Sequence, residues 1–418
     1  MSIHSKIFTL TLTAITTLEV ISFFGYLADP INHVVFILLL LTMLALSLWK
    51  LEYGLWVVFA ELVIGSKGYL FSWPVGDFHI SIRLGLFLVL LLAWGFQVIR
   101  KKDLAWWKST YTKPFLLLMA ALVYAVTVGF INHNSFKYIF LDGNGFLYFG
   151  LFFVVLQVMT SRERIWRLIS VISAGIASSV LKTIFLLFAF SHQLHPFLGN
   201  LYRWVRFTGV GEITQLSNGF YRIFFQSHIY EVFAYFFLLI GLVLWWKQPH
   251  QQKQWMRLYA RWMLLGSTVL ISLSRSFWLG LAVGLCVLFL VTLQIWHWKW
   301  KSILLGGVFL GISTALQLGI LGAIVNVPLP GTTSVSIASL IEERTSDVTE
   351  EAAGASRFAL LKPLFTAIAE HPVWGQGFGT TVSYASQDPR AIEASGGGLY
   401  TTFAFEWGYL DLWLKLGL

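Results

Sequence analysis

Arginines and aromatic residues alternate through NLYRWVRFTGVGEITQLSNGFYRIFFQS, residues 200–227, which supplies Arg203, Arg206 and Arg222 with Glu212 among them. A guanidinium pairs phosphate oxygens through two parallel N–H donors, so this composition suits a ligand that carries phosphate. It equally suits an interfacial belt whose arginines reach lipid headgroups. Arg275, in ISLSRSFWLG, is the sole charge between Trp262 and Trp296. Ser274 and Ser276 flank it and can bond a turn, from which Arg275 either snorkels to the interface or meets a ligand. Glu406 stands between Phe405 and Trp407 where an apolar helix starts. That is a dehydrated setting suited to a general base, or a helix N-terminus that simply favours a carboxylate.

The stretch HPVWGQGFG holds His371, Gly375 and Gly377. No strand–turn–helix pattern surrounds its glycines, which argues against a dinucleotide fingerprint and favours a turn where backbone approaches a ligand. His371 precedes Pro372, a helix stop, and as a lone histidine reads as a hydrogen-bonding residue; Arg357 and Arg390 read as loop cations. Glu61, Arg83 and Lys182 fall within or near apolar segments, where ionisable groups are functional or pair with one another. A single Cys286 excludes an internal disulfide and a cysteine metal cluster, and no metal or cofactor is expected.

Elements that could hold these residues follow from composition. The 418 residues are 57% hydrophobic and 12% charged, which places the chain among polytopic helical membrane proteins. Apolar runs of roughly 20 residues are needed to span, and they occur at 7–28, 31–49, 53–71, 80–99, 114–131, 145–159, 165–190, 228–246, 262–274, 276–296 and 302–325, with a start near 405. The run from Trp262 to Trp296 would be about 52 Å long as one helix, well beyond a hydrocarbon core of ~30 Å. It must therefore break into two helices at the Ser-Arg-Ser stretch.

Alternate connections collect Lys and Arg. With the N-terminus inside, the inner loops hold Lys6, Lys50, Arg100, Lys101, Lys102, Lys108, Lys113, Arg162, Arg164, Arg167, Lys247, Lys253, Arg257, Arg261, Lys299 and Lys301, more than half of the 29 cations. The net charge of +9 thus reports topology and calls for no nucleic acid. Residues 1–190 read as an N-terminal bundle, 191–227 as an outer Arg-rich loop and 228–325 as spans with the Ser-Arg turn. Residues 326–404 read as a large outer loop of short helices and turns, and 405–418 as the start of a further helix. An apolar Leu418 with no exit signal suggests that the chain stops short of its natural end.

Three segments together resemble the O-antigen ligase and O-antigen polymerase family: ISLSRSFWLGLAVG, then SRFALLKPLFTAIAEHPVWGQGFGT, then YTTFAFEWGYLDLWLKLGL. The resemblance covers about 260–418. It implies a GT-C-like membrane glycosyltransferase on the outer face of the bacterial inner membrane. Such an enzyme moves glycan from undecaprenyl diphosphate to an acceptor lipid or glycan without metal or nucleotide sugar. It also implies that Arg275 contacts the diphosphate, with Arg203, Arg206 and Arg222 as further clamp residues. Many members begin the last helix with a histidine; aligning Tyr409 and Leu410 puts Glu406 there instead, as the expected base. Ligation of glycan to protein is a second enzymatic reading of this scaffold. A polysaccharide transporter or flippase is the alternative class, although its related halves and interrupted helices are not visible.

Overall fold

The computed structural model describes residues 3–76, 78–102, 105–216, 219–245, 252–296, 300–328, 336, 352–386, 392–393, 396 and 399–418. The acidic stretch at 341–351, Arg390 and most of ASGGG lie outside them. In chain order come α1 (Ile3–Leu27), α2 (Asp29–Trp49), α3 (Leu51–Ile64), the hairpin β1 (Ser72–Val75) and β2 (Phe78–Ser81), and α4 (Ile82–Lys101). Next are α5 (Thr112–Ile131), α6 (Phe136–Leu147), α7 (Leu151–Val158), α8 (Arg162–Ser191) and α9 (Leu198–Phe207). The hairpin β3 (Gly211–Gln215) and β4 (Tyr221–Phe225) leads to α10 (His228–Trp245), α11 (Gln252–Ile271), α12 (Arg275–Trp296) and α13 (Trp300–Val325). Last come α14 (Ala352–Glu370), β5 (Val382–Ala385), β6 (Leu399–Thr402) and α15 (Gly408–Leu416).

Among the described residues nine helices are long and apolar enough to cross a membrane, and the protein is a multi-pass helical membrane protein. Two expected spans take other forms. The run 53–71 forms only the 14-residue α3, about 21 Å long. Its end is fixed by Gly65, after which Ser66 and Gly68 adopt φ of 48° and 86° and turn the chain back toward β1. The run 262–274 is the apolar half of α11, whose earlier turns carry Lys253, Arg257 and Arg261 and are too polar for the bilayer core. The run 145–159 joins a longer stretch, Phe136–Val158, through a 3-10 turn at Tyr148–Gly150. Three short antiparallel hairpins, unforeseen in an all-helical reading, stand beside the helices among the described residues.

Two compact units divide the chain, Met1–Phe96 with Met159–Arg344, and Gln97–Val158 with Thr345–Leu418. The first is built around α8. Ser161 caps this helix by accepting from the Arg164 N–H, and small residues, Ala174, Gly175, Ser178, Ser179 and Thr183, form its buried side. Small side chains let neighbouring backbones approach where apolar contact with lipid offers no competing advantage. At Gly175 an added Cβ would already press on Val63 of α3 at 3.0 Å. Mutual pairing accounts for the membrane-level charges: Lys182 Nζ lies 2.5 Å from Glu19 Oε1 on α1, and Arg83 Nε lies 2.7 Å from Glu61 Oε2. Ser178 also donates to Glu19, and Arg83 donates to the Ser66 carbonyl.

A buried pair of this kind is costly to break from one side only. Lys182→Met is expected to lower unfolding stability in detergent by about 3 kcal/mol, because Glu19 is left charged without its partner. Adding Glu19→Gln should recover most of that loss; a double variant no more stable than the single one would contradict the pairing.

In the second unit, α14 packs Leu360, Leu364 and Ile368 against Val382, Phe405 and Leu414. A second cluster joins Leu122 and Ala125 of α5, Ile139 of α6 and Phe378. Lys415 of α15 is buried between Asp142, 2.7 Å away, and Asp411, 2.6 Å away, which ties the last helix to α6.

Candidate functional site

In the first unit the Arg-rich segment is not a loop but a helix followed by a hairpin. Helix α9 buries Trp204 and Val205, and the Trp204 indole donates to Ser22 Oγ of α1 at 3.1 Å. Its other face exposes Tyr202, Arg203, Arg206 and Phe207. Strand register pairs Glu212 with Phe224 and Thr214 with Arg222. Because side chains alternate along a strand, Ile213, Ile223 and Phe225 face the core, while Glu212, Thr214, Arg222 and Phe224 share the other face. Arg206 reaches this face through Glu212, 3.5 Å away. Arg203 stays on the exposed side of α9.

Arg222 lies with its guanidinium carbon 4.9 Å from the Phe224 ring, and its Nε–H donates to the Ser272 carbonyl at 2.8 Å. Ser272 belongs to ISLSRS, which breaks the long apolar run into α11 and α12 as its length demands. Ser272 Oγ donates back to the Val269 carbonyl, Leu273 takes a left-handed φ of 44°, and the Ser274 and Ser276 hydroxyls lie 2.9 Å apart. Arg275, half-buried, is the first residue of α12. Backbone N–H groups at a helix start favour an anion there. Phe277 lies 5.7 Å from Phe224, a further link between turn and hairpin. Arg222 and Arg275, 53 positions apart in sequence, thus belong to one assembly of hairpin and turn.

Beneath the hairpin, beside the Lys182 that the sequence singled out, lie residues that the sequence reading passed over. His228 and Glu231 at the start of α10 are fully buried. Thr268 donates to Glu231 Oε2 at 2.5 Å, and Lys182 stands 4.9 Å from the Phe225 ring. Polar residues three apart on an apolar helix were the available signal, but they also fit a solvated helix end.

In the second unit Glu406 pairs with Arg357 of α14, and both side chains are more than half exposed. The dehydrated setting expected from Phe405 and Trp407 is therefore not found. Phe405 turns into the core while Glu406 turns outward toward the guanidinium. The Trp407 indole donates to the Arg357 carbonyl at 3.0 Å, which fixes the approach of the two segments. His371 is exposed, and its carbonyl accepts the Gly375 N–H at 2.9 Å.

Gly375 and Gly377 bring backbone against backbone of the same unit. Both have left-handed φ, 66° and 82°; a Cβ on Gly375 would strike the Lys415–Gly417 backbone, and one on Gly377 would strike Gly129 of α5. Phe378 N donates to the Ala125 carbonyl at 2.9 Å, and Asn134 donates to the Phe378 carbonyl at 2.9 Å. Gly379 N donates to Asp142 Oδ2 at 2.7 Å. The close approach foreseen for a ligand is made to α5 and α15. Gly377→Ala is expected to cost about 2 kcal/mol or more, through a strained φ and the contact with Gly129. Thermal unfolding of the purified variant checks this; an unchanged midpoint would contradict it.

Residues 260–418 match a family model described as O-antigen ligase. The C-terminal part of the chain is similar to the O-antigen ligase family. No curated protein and no solved structure matches the chain. The O-antigen ligase match supports a ligase- or polymerase-like, glycosyltransferase-like enzyme that works on lipid-linked glycan in a membrane. It spans Arg275, Arg357, His371, Gly375, Gly377 and Glu406, whereas Arg203, Arg206 and Arg222 precede it. The bond from Arg222 to the Ser272 carbonyl and the contact of Phe224 with Phe277 link the Arg-rich hairpin to the O-antigen ligase part.

Proposed function

We propose that the protein transfers glycan from undecaprenyl diphosphate to an acceptor hydroxyl during cell-surface polysaccharide assembly. The N-terminus is then cytoplasmic and the reaction takes place on the outer face of the inner membrane. The observation that carries the reading is the bond between Arg222 Nε and the Ser272 carbonyl, which sets a guanidinium beside the turn that leads into Arg275 at the start of α12. The acceptor oxygen attacks the anomeric carbon, the bond from that carbon to the diphosphate oxygen breaks, and undecaprenyl diphosphate leaves with the electron pair. Fixed guanidinium charges and the start of α12 stabilise the negative charge that gathers on the leaving group. Arg206 and Arg203 extend the positive surface for the same diphosphate.

The acceptor proton passes to Glu406, and a single displacement inverts the sugar's configuration. Arg357 pairs with this carboxylate at the surface, while His371 is offered to the acceptor from a segment braced at Gly375 and Gly377. The test uses the purified chain in lipid nanodiscs with undecaprenyl-diphosphate glycan and either a lipid or a glycan acceptor. A new glycosidic bond with release of undecaprenyl diphosphate is expected. Movement of glycan across proteoliposomes with no new bond would instead assign transport, and transfer only to protein hydroxyls would assign protein ligation.

A further inference from the structure

We propose that buried His228 is a positioning residue for Arg222, acting through the end of strand β4. The inference rests on the reading that Arg222 meets the diphosphate. The Phe225 N–H donates to His228 Nδ1 at 3.3 Å, and Nε2 lies 3.0 Å from Thr183 Oγ1 of α8. These bonds fix the ring. Nδ1 accepts, so it carries no proton, and a neutral imidazole must hold its proton on Nε2. Thr183 can accept that proton because its own hydroxyl proton points to the Ser179 carbonyl at 2.8 Å.

The consequence runs along the chain. Phe225 closes the register of the hairpin opposite Gly211, and Arg222 sits three residues earlier on the same strand. One side of the hairpin is therefore anchored on α8 through His228, and the other on the α11–α12 turn through Arg222 and Ser272. The Phe225 amide donates to the ring inside a fully buried site, so losing that acceptor leaves the N–H unpaired at the end of the strand. Displacement of β4 would then carry the Arg222 guanidinium away from the turn. Neither His228 nor Thr183 has to touch the ligand for this to matter.

Two amide side chains separate the roles of the ring nitrogens. In His228→Asn the amide oxygen takes the place of Nδ1 and can still accept from Phe225; in His228→Gln the amide reaches toward Thr183 and the acceptor is lost. The full-length chain in nanodiscs is followed by hydrogen exchange at residues 221–225 and by affinity for undecaprenyl diphosphate. His228→Gln is expected to speed exchange at Phe225 and weaken binding about tenfold, whereas His228→Asn stays near wild type in both. Equal behaviour of the two variants overturns the proposal, as does faster exchange with unchanged binding. Should the His228 variants not fold, Thr183→Val against Thr183→Ser gives the same comparison from the other side of the ring, with only Val expected to speed exchange. If the wild-type chain binds no lipid diphosphate, the proposed function fails, and the exchange comparison alone decides whether His228 positions the strand.

Discussion

Arg222→Ala is expected to reduce transfer from undecaprenyl-diphosphate glycan by about 10²–10³-fold, the usual effect of removing one preorganised donor from developing negative charge. Part of any loss will be structural, since the buried Ser272 carbonyl gives up its partner, at about 1–3 kcal/mol. Arg222→Lys separates the two contributions: it keeps a positive charge, but one ammonium cannot bond the Ser272 carbonyl and also present a planar fork to phosphate. The lysine variant should therefore remain folded, by thermal unfolding, and still lose most of its activity. Arg275→Ala is expected to have a loss of similar size, and the double variant should lose less than the product of the two. Both arginines would act on the same leaving group, so their effects couple. Transfer within threefold of wild type in Arg222→Lys and in Arg275→Ala would remove the diphosphate assignment.

Span positions were legible because length and apolar content are properties of a local window. The error at 53–71 has a specific cause. Apolar Tyr69, Leu70 and Phe71 continue the hydrophobic run after the helix has ended, and the turn at Ser66 and Gly68 depends on backbone angles that a hydropathy window does not read. Pairing among the charged residues of the bundle was open to the sequence, and Arg83 does meet Glu61, but the partner of Lys182 was not: it meets Glu19 across 163 positions, and nothing in either neighbourhood names the other. The split of the long apolar run at Ser274 followed from arithmetic alone and stands in the structure.

The candidate site was legible only in its residue types. Arg222 and Arg275 were picked out separately, and what ties Arg222 to the turn before Arg275 is the Ser272 backbone carbonyl, which leaves no signature in composition. The glycines of HPVWGQGFG did signal close approach of backbone, yet a sequence does not say to what; here the answer is Gly129 and the end of α15. His228 was passed over because an imidazole that bonds a strand amide and a threonine resembles, in sequence, any histidine at a helix start.

Glu406→Gln carries the other large expected effect, a fall in kcat of about 10²–10⁴-fold with little change in KM, as for loss of a general base. The structure makes this a clean experiment. Glu406 and Arg357 are both more than half exposed, so breaking their pair should change stability by about 0–1 kcal/mol, too little to imitate a catalytic loss by unfolding. Arg357→Gln removes the same ion pair while leaving the carboxylate in place. If Glu406 takes the acceptor proton, the arginine variant should keep most of its turnover and the glutamine variant at 406 should not. Equal losses in the two would mean that the pair acts as a unit in holding the acceptor, and transfer by Glu406→Gln within threefold of wild type would place the base on another residue. Because Trp407 is bonded to the Arg357 carbonyl and not to its side chain, neither substitution removes the contact that brings α14 and the start of α15 together.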